Sequence, residues 1–418
     1  MIDVRILRDD QQRVKANAAK RGCSVDVDAL HQKDQKYLEL VQEVESMRAE
    51  RNRLSKLCRD NIEARGQVKE LKQQIGDKEE TLRELKAAVE EGLAWLPNFL
   101  AADVPEGHGD EDNEPVRFYG EKPEFVFKPR AHHEIGEALG IIDTERGAKV
   151  AQSGFYYWVG RGAELAMAVF FWTQKELAKR GFKIFMTPCA AKGNTLFGTG
   201  YLPFFADQTY QIKGEDLALI GTSEQTLVGY HADEILEAEE LPLCYAAFSP
   251  CFRTEAGSYG KETRGIFRVH QFHKVEQIIF CKPDESEKYH DVCQENEEAL
   301  MQALGIPCRV VNVCVGDMGA PGYKKYDIEA WFAGYGGYRE VTSNTNLTDF
   351  QSRRLGIRYR EKDSTDKNFV HTISATATTD RAVCAILENY QQEDGSVIVP
   401  DVLQPYTGFD RITPDDAA

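Results

Sequence analysis

No run in the 418-residue sequence approaches the roughly 20 uninterrupted apolar residues of a membrane-crossing helix, although 42% of it is hydrophobic. The opening MIDVRILRDD lacks the basic-then-apolar order of a secretory signal, so the expected compartment is the cytoplasm, with no membrane partner. None of the ten cysteines forms a Cys-x-x-Cys pair, which removes the commonest zinc and redox motifs. They read as reduced packing residues, and no zinc is expected. A Gly-rich Walker loop, a dinucleotide fingerprint and internal repeats are also missing, so any bound nucleotide needs another cradle. Nor is there an excess of positive charge. A formal net charge of −17 repels a polyanion on average, and any contact with RNA has to be local.

What the first hundred residues do have is heptad periodicity. From Leu30 one seam position carries Leu30, Tyr37, Val44, Arg51 and Cys58, and the other carries Lys33, Leu40, Met47 and Leu54. The pattern breaks at Asp60-Asn61 and again near Gly66. A second frame then carries Val68, Leu71, Ile75, Leu82, Leu85 and Val89, with Lys78 as its polar exception. Two helices of similar length joined by a short polar turn are expected to fold back as an antiparallel two-helix coiled coil reaching roughly 45 Å. Such a hairpin can serve as a dimerisation seam. Between Arg48 and Lys72, however, eight cations (Arg48, Arg51, Arg53, Lys56, Arg59, Arg65, Lys69, Lys72) outnumber four acids, a local +4 suited to a phosphate backbone. Both readings stand on pattern alone.

The helical period stops in WLPNFLAADVPEGHGDEDNEPVRFYG, where prolines fall in acidic sequence, and this sets expected domains at 1–100 and 101–418. Beyond it, helical patterns such as Glu164 to Arg180 alternate with runs rich in β-branched and aromatic residues, including Gln277 to Cys281, Cys308 to Val315 and Tyr338 to Val341. The mixture indicates an α+β domain with a mainly antiparallel sheet flanked by helices.

The densest chemistry lies in CFRTEAGSYGKETRGIFRVHQFHKVEQIIF, residues 251–280, which reads as two strands joined by a long polar loop. Arg253, Arg264 and Arg268 accompany Glu255, Glu262 and Glu276, with Gly257, Gly260 and Gly265 between them. Guanidinium forks suit carboxylate and phosphate oxygens, and Phe272 offers a ring to a base. A surface hairpin with ordinary ion pairs is the plain alternative.

FRTEAGSYGKETRG…HQFHKVE resembles the second signature of the class II aminoacyl-tRNA synthetases in its seryl form. GIIDTERGAKVAQSGFYYWVGRGAELAMAV, GNTLFGTGYLP, YREVTSNTNLTDFQSRR, AILENYQQEDGSVIVPDVLQPY and, in the arm, RAERNRLSK each resemble segments of bacterial-type seryl-tRNA synthetases in matching order. The resemblance implies ATP-dependent activation of L-serine to seryl-adenylate and its transfer to the 3′-terminal adenosine of tRNA(Ser), and of tRNA(Sec) where present. It implies ATP and Mg²⁺ as cofactors, and a class II catalytic domain.

Carried over residue by residue, the resemblance gives Arg253 the bridge between the serine carboxylate and the α-phosphate, and gives Arg268 and Arg381 the polyphosphate. These three are the implied catalytic residues. Glu255 would meet the adenine amino group, Phe272 would stack on the ring, and Val269 belongs to the same ATP site. Glu340 and Ser343 are the implied Mg²⁺ ligands as well as ATP contacts. Serine would lie among Thr222, Glu224, Arg253, Glu276, Ser374 and Thr376. Arm residues Arg48, Arg51, Arg53, Lys56, Arg59, Lys69 and Lys72 would bind tRNA. Pro188, closing a helix-strand unit that starts near Gly154, resembles the first class II signature and implies a C2 homodimer in which the arm of one subunit serves the site of the other.

One segment departs from the resemblance. Where similar enzymes carry an Asn-Gly-Ser/Thr run, this chain has HTISATATTDR, residues 371–381, one residue shorter, with Ser374 at the asparagine position. The register of the hydroxyl contacts is therefore open between Ser374, Thr376 and Thr378. Two other functions share parts of this pattern: a ligase loading an amino acid onto a carrier or metabolite, and a non-catalytic RNA-binding paralogue. The arm argues against the first, and the presence of Arg253, Arg268, Glu340 and Arg381 against the second.

Overall fold

The computed structural model describes residues 1–57, 61–256 and 264–417. Cys58, Arg59, Asp60, Gly257, Gly260 and Glu262 lie outside them. The chain divides into two compact units, Met1–Pro97 and Asn98–Ala418.

The first unit is helical: α1 (Val4–Asp9), α2 (Gln11–Lys20), α3 (Val27–Ser55) and α4 (Ile62–Ala94). Each begins where a side-chain oxygen accepts an otherwise orphaned backbone N–H: Asp3 from Arg5, Asp10 from Arg13, Asp26 from Ala29, Asn61 from Ala64. At 1.5 Å per residue α3 spans about 44 Å and α4 about 50 Å. The two pack as an antiparallel hairpin, fastened across the seam by Arg48–Glu79 at 2.7 Å and Lys78–Glu43 at 2.9 Å.

Burial follows the second frame closely, with Ile75 and Val89 enclosed and Val68, Leu71, Leu82 and Leu85 partly so. Two details of the periodic reading are corrected. Gly66 does not break the helix; α4 starts at Ile62 and runs through both Gly66 and Gly76, because the packed face tolerates two glycines on its exposed side. At the other seam position the buried residue is Asp34 and Lys33 is exposed. Arg8 of α1 grips Asp34 through Nε and Nη2, at 2.6 and 2.8 Å, and this bidentate pair compensates the burial of the carboxylate.

The second unit is built on an eight-stranded sheet. Its strands are β1 (Glu114–Tyr119), β2 (Lys183–Met186), β3 (Leu243–Phe252), β4 (Gln271–Cys281), β5 (Cys308–Asn312), β6 (Lys324–Phe332), β7 (Gly337–Thr348) and β8 (His371–Thr379). The order is β1-β5-β6-β7-β8-β4-β3-β2, and every pairing is antiparallel except β2 with β3.

Strand alternation decides what each residue meets. On β4, Val275, Ile279 and Cys281 enter a core shared with helices α5 (Gly160–Lys179), α7 (Ser286–Ala303) and α9 (Asp380–Asn389). Ile278 and Phe280 enter a second core with Leu227 of α6 (Glu224–Gly229) and Leu355 of α8 (Phe350–Leu355). Being apolar on both faces, β4 reads as a nearly continuous hydrophobic run at this end. Six of the nine described cysteines are buried, and all nine are free thiols.

Among the register shifts in the sheet, two β-bulges interrupt the alternation at Val341 and Ala377. Glu340 pairs with Glu329 and Thr342 with Ile328, leaving Val341 of β7 unopposed. Thr376 pairs with Glu276 and Thr378 with Val275, leaving Ala377 of β8 unopposed. Val341 and Ala377 both join the first core. Their effect is to return Ser343 and Thr379 to the face that Glu340 and Thr376 already occupy.

Beneath the first bulge, Glu297 of α7 is fully buried and accepts a 2.6 Å hydrogen bond from the Thr342 hydroxyl. Burial pushes its carboxyl well above the usual range, against the Thr342 bond and with help from Glu276, Asp327 and Glu298. A raised folded-state pKa contributes stability below about pH 4.5 that is lost as pH rises through the folded value. Glu297→Gln, which cannot ionise, should therefore gain on wild type in urea midpoint between pH 5 and pH 8; parallel pH dependences of the two proteins would contradict this.

Candidate active site

The even-numbered face of β4 continues past Phe280 and Ile278 into polar sequence, and there it becomes the floor of a cleft of about 420 Å³. Glu276, Lys274 and Phe272 line it from β4, Ser374 and Thr376 from β8, Glu340 and Ser343 from β7. Arg253 enters just beyond β3, Glu224 from the start of α6, and Arg381 from the first turn of α9. Glu255, Arg268 and Val269 complete the set expected from the sequence. Thr222 is the exception. It is fully buried and does not line the cleft; its hydroxyl accepts the backbone N–H of Glu224 at 3.3 Å, so it shapes the start of α6.

At one end of the cleft, three donors converge on one carboxylate. Ser374 donates to Glu276 Oε1 at 3.0 Å, Thr376 to Oε2 at 3.2 Å, and Lys274 Nζ lies 2.5 Å from Oε2. The bulge sets which hydroxyls of residues 371–381 face the cleft. Ser374 and Thr376 face the cleft, while Thr378 is buried without a hydroxyl partner among the described residues. Close by, Gln351 of α8 donates to Glu224 Oε1 at 2.6 Å and is itself held by the Thr372 hydroxyl at 2.8 Å; Tyr201 reaches Glu224 Oε2 at 3.4 Å. Burial and the neighbouring Glu276 raise Glu224 to about 7, with Lys274, Gln351 and Ser374 opposing the shift.

The other end is cationic. Arg381 contacts the backbone oxygen of Glu340 at 2.9 Å and its carboxylate at 3.1 Å. Its guanidinium carbon lies 4.4 Å from the centre of the Phe267 ring, and Arg339 covers that ring at 3.1 Å, so an aromatic plate fixes the fork. Asp380, next to Arg381, accepts from Trp158 at 2.8 Å and from the His273 backbone at 2.5 Å, which anchors α9 against the sheet. Desolvation in the cleft works against an ionised Glu340, but Arg381, Lys325 and Arg253 outweigh it and hold the carboxyl down at about 2. Arg268 forms an ion pair with Glu255, a residue held at φ +51°. Arg253 stands between the two ends, its guanidinium carbon 5.2 Å from the Phe272 ring and Nη2 3.4 Å from the Gly221 carbonyl. Although burial opposes its charge, Tyr201, Cys251, Glu255 and Glu340 raise its pKa further.

Glu340 and Ser343 offer two hard oxygen donors on one strand. No group of three or more His, Cys, Asp or Glu side chains among the described residues is placed to hold a metal by itself. That donor set fits Mg²⁺ as an ion taking its remaining ligands from phosphate and water, and does not make a closed protein cage.

Several lining residues were not singled out from the sequence. Lys274 was detectable, since strand alternation places it between Phe272 and Glu276 on one face. Lys325, which lines the cleft and pairs with buried Asp327 at 2.9 Å, carries no such signal, and neither does Gln351, which lies behind the lining and holds Glu224; both come from elements distant in sequence.

In the helical unit, Arg48 is tied to Glu79 across the hairpin and Arg53 to Glu50 at 2.6 Å on its own helix. Arg51 is half-buried at the seam beside Asn52, and Lys56, Lys69 and Lys72 are exposed. No helix among the described residues is long and apolar enough to cross a membrane.

Comparison with known proteins agrees with this arrangement over the whole chain. Residues 1–100 match the Seryl-tRNA synthetase N-terminal domain, and residues 208–390 match the tRNA synthetase class II core domain (G, H, P, S and T). The chain is 42% identical over 422 residues to the Serine--tRNA ligase of Rubrobacter xylanophilus, covering 99% of each. Among solved structures, seryl-tRNA synthetase from Pyrococcus horikoshii complexed with ATP is 39% identical, with a TM-score of 0.95 over 99% of this chain and 100% of that one. A cytoplasmic Serine-tRNA ligase from Naegleria fowleri in complex with AMP is 31% identical, with a TM-score of 0.89 over 99% of each chain. The fold, the cleft and these likenesses lead to one conclusion: the chain belongs to the seryl-tRNA synthetase family of class II aminoacyl-tRNA synthetases, whose reaction is the ATP-dependent ligation of serine to tRNA.

Proposed function

We propose that the cleft activates L-serine with ATP and that the seryl group is then passed to the 3′-terminal adenosine of tRNA(Ser). The observation that carries this reading is the position of Arg253 between an acidic, hydroxyl-lined end and a cationic end of one cleft. In activation a serine carboxylate oxygen attacks the α-phosphorus of ATP, and the bond to pyrophosphate breaks. Two anions must meet. Arg253 donates to both, lowering their repulsion and stabilising charge that grows in the transition state.

Phe272 stacks on adenine, with Val269 beside it and Glu255 accepting from the exocyclic amine. Arg268, released from Glu255 when ATP enters, joins Arg381 on the polyphosphate. Glu340 and Ser343 would hold Mg²⁺, which supplies charge neutralisation between phosphates. Glu224 takes the serine ammonium, while Glu276, Ser374 and Thr376 meet the substrate side chain. In the second step the ribose hydroxyl attacks the seryl carbonyl and AMP leaves.

The helical arm is the tRNA-binding element, through Lys56, Lys69 and Lys72 with Arg48, Arg51, Arg53 and Arg59. A C2 homodimer is supported by exposed apolar residues on α5 and the edge strand β2, where Met167 is 66% and Met186 94% exposed. The cytoplasm is the proposed compartment.

Arg253→Ala should lower serine-dependent ATP–pyrophosphate exchange by at least about 10²-fold, and Arg253→Lys should not rescue it, since a point charge cannot make two divergent contacts. Near-normal exchange in the lysine variant would move the bridging role elsewhere. Deleting residues 30–89 should leave exchange intact and abolish tRNA charging; an arm-deleted protein that charges tRNA normally refutes the arm assignment. Because an ammonium needs an ionised Glu224, serine KM should climb as pH falls below about 7, approaching about tenfold per pH unit. Glu224→Gln should weaken serine binding and flatten that slope between pH 6 and pH 8.

A further inference from the structure

Lys274 is enclosed on the cleft floor, its side chain 9% exposed, and it touches two groups at once. Its ammonium lies 2.5 Å from Glu276 Oε2 and donates to the Thr376 hydroxyl at 3.2 Å. Thr376 in turn donates to Glu276 Oε2 at 3.2 Å, closing a triangle. Strand geometry places the three together. Lys274 and Glu276 are two apart on β4 and share its cleft face, and Thr376 is the cross-strand partner of Glu276.

We propose that Lys274 is a positioning residue for serine selection, setting the direction in which Thr376 and Glu276 present their hydrogen bonds to the substrate hydroxyl. This rests on the assignment of Glu276 and Thr376 to the serine side chain. An ammonium can only donate, so it occupies a lone pair of the Thr376 hydroxyl and commits that hydroxyl's proton to an acceptor. Without substrate the acceptor is Glu276. When serine is bound, it is the serine hydroxyl oxygen, while the serine hydroxyl proton goes to Glu276. The pair then offers one donor and one acceptor to a group that is both. A methyl group satisfies neither, and leaves two desolvated polar groups unpaired.

The charge of Lys274 has a second consequence. The Glu276 side chain is 3% exposed and has the Glu224 carboxyl nearby, so it needs a cation that substrate does not supply. The serine ammonium is engaged by Glu224. Lys274 fills that need from below the substrate and leaves the space above Glu276 open.

The test compares Lys274→Met, Lys274→Arg and Thr376→Val by ATP–pyrophosphate exchange with serine and with alanine. Lys274→Met should raise serine KM by about tenfold or more, hold ATP KM within about twofold, and shrink the serine-over-alanine ratio of kcat/KM by a similar factor. Lys274→Arg should recover part of that ratio. An unchanged ratio in folded Lys274→Met, alongside a reduced one in Thr376→Val, overturns the inference alone. An unchanged ratio in Thr376→Val overturns the serine-site assignment and the inference with it. If an unpaired Glu276 prevents Lys274→Met from folding, Lys274→Met/Glu276→Gln carries no lone charge and is compared with Glu276→Gln. A further loss of serine preference of about threefold or more supports the inference, and an equal ratio overturns it.

Discussion

Strand β4 is paired on both sides, with β8 and with β3, and carries core residues on both of its faces. Its odd-numbered residues fill one core and its even-numbered residues fill a second, until the sequence turns polar at Glu276. From that point the same even face becomes the cleft floor. A shift of β4 by one residue would bury Lys274 and Glu276 in the first core and present Val275 to the substrate. The hydrophobic pattern that folds the sheet is thus also what fixes the position of the chemistry, and the two cannot be altered independently.

Charge is the second constraint. Among the carboxylates that line this partly desolvated space, Glu224, Glu276 and Glu340 are each handled differently. Glu340 is surrounded by Arg381, Lys325 and Arg253 and stays ionised. Glu276 takes a lysine and two hydroxyls. Glu224 is hydrogen-bonded by the neutral Gln351 and Tyr201, and Lys274 does not offset its burial, so it is the group left wanting a cation. In the proposed reaction an amino-acid ammonium would answer that want, and the triphosphate the surplus of arginine at the opposite end. The cleft is polarised by its own side chains, in a way suited to the two halves of that reaction.

Much of this was legible in the sequence. The hairpin could be read from its heptads because a coiled seam is a local, repeated pattern, and the two misplacements have physical reasons. Gly66 lies on an exposed face where packing elsewhere carries the helix, and Asp34 is buried only because Arg8, twenty-six positions away, supplies its partner. In the catalytic unit, Arg253, Glu255, Arg268, Phe272 and Glu276 lie within one short segment and were recognisable together. Gln351, Tyr201 and Lys325 were not, since nothing local distinguishes them from ordinary polar residues. Thr222, expected beside the substrate, is buried behind the cleft lining, where its hydroxyl accepts the backbone N–H of Glu224.

The bulges at Val341 and Ala377 have a wider meaning. Seen as a wave of period two, β7 changes phase at Val341 and β8 at Ala377, so that Glu340 with Ser343, and Thr376 with Thr379, stand on the same crest despite an odd spacing. A relative whose strand lacked the slip, or carried it one position away, would show the same residues in the same order on opposite sides of the sheet. Counting along the chain and counting across the sheet then give different equivalences beyond the slip. For the short segment before Arg381, the only reliable ruler is the ladder of β4, against which each crest can be marked.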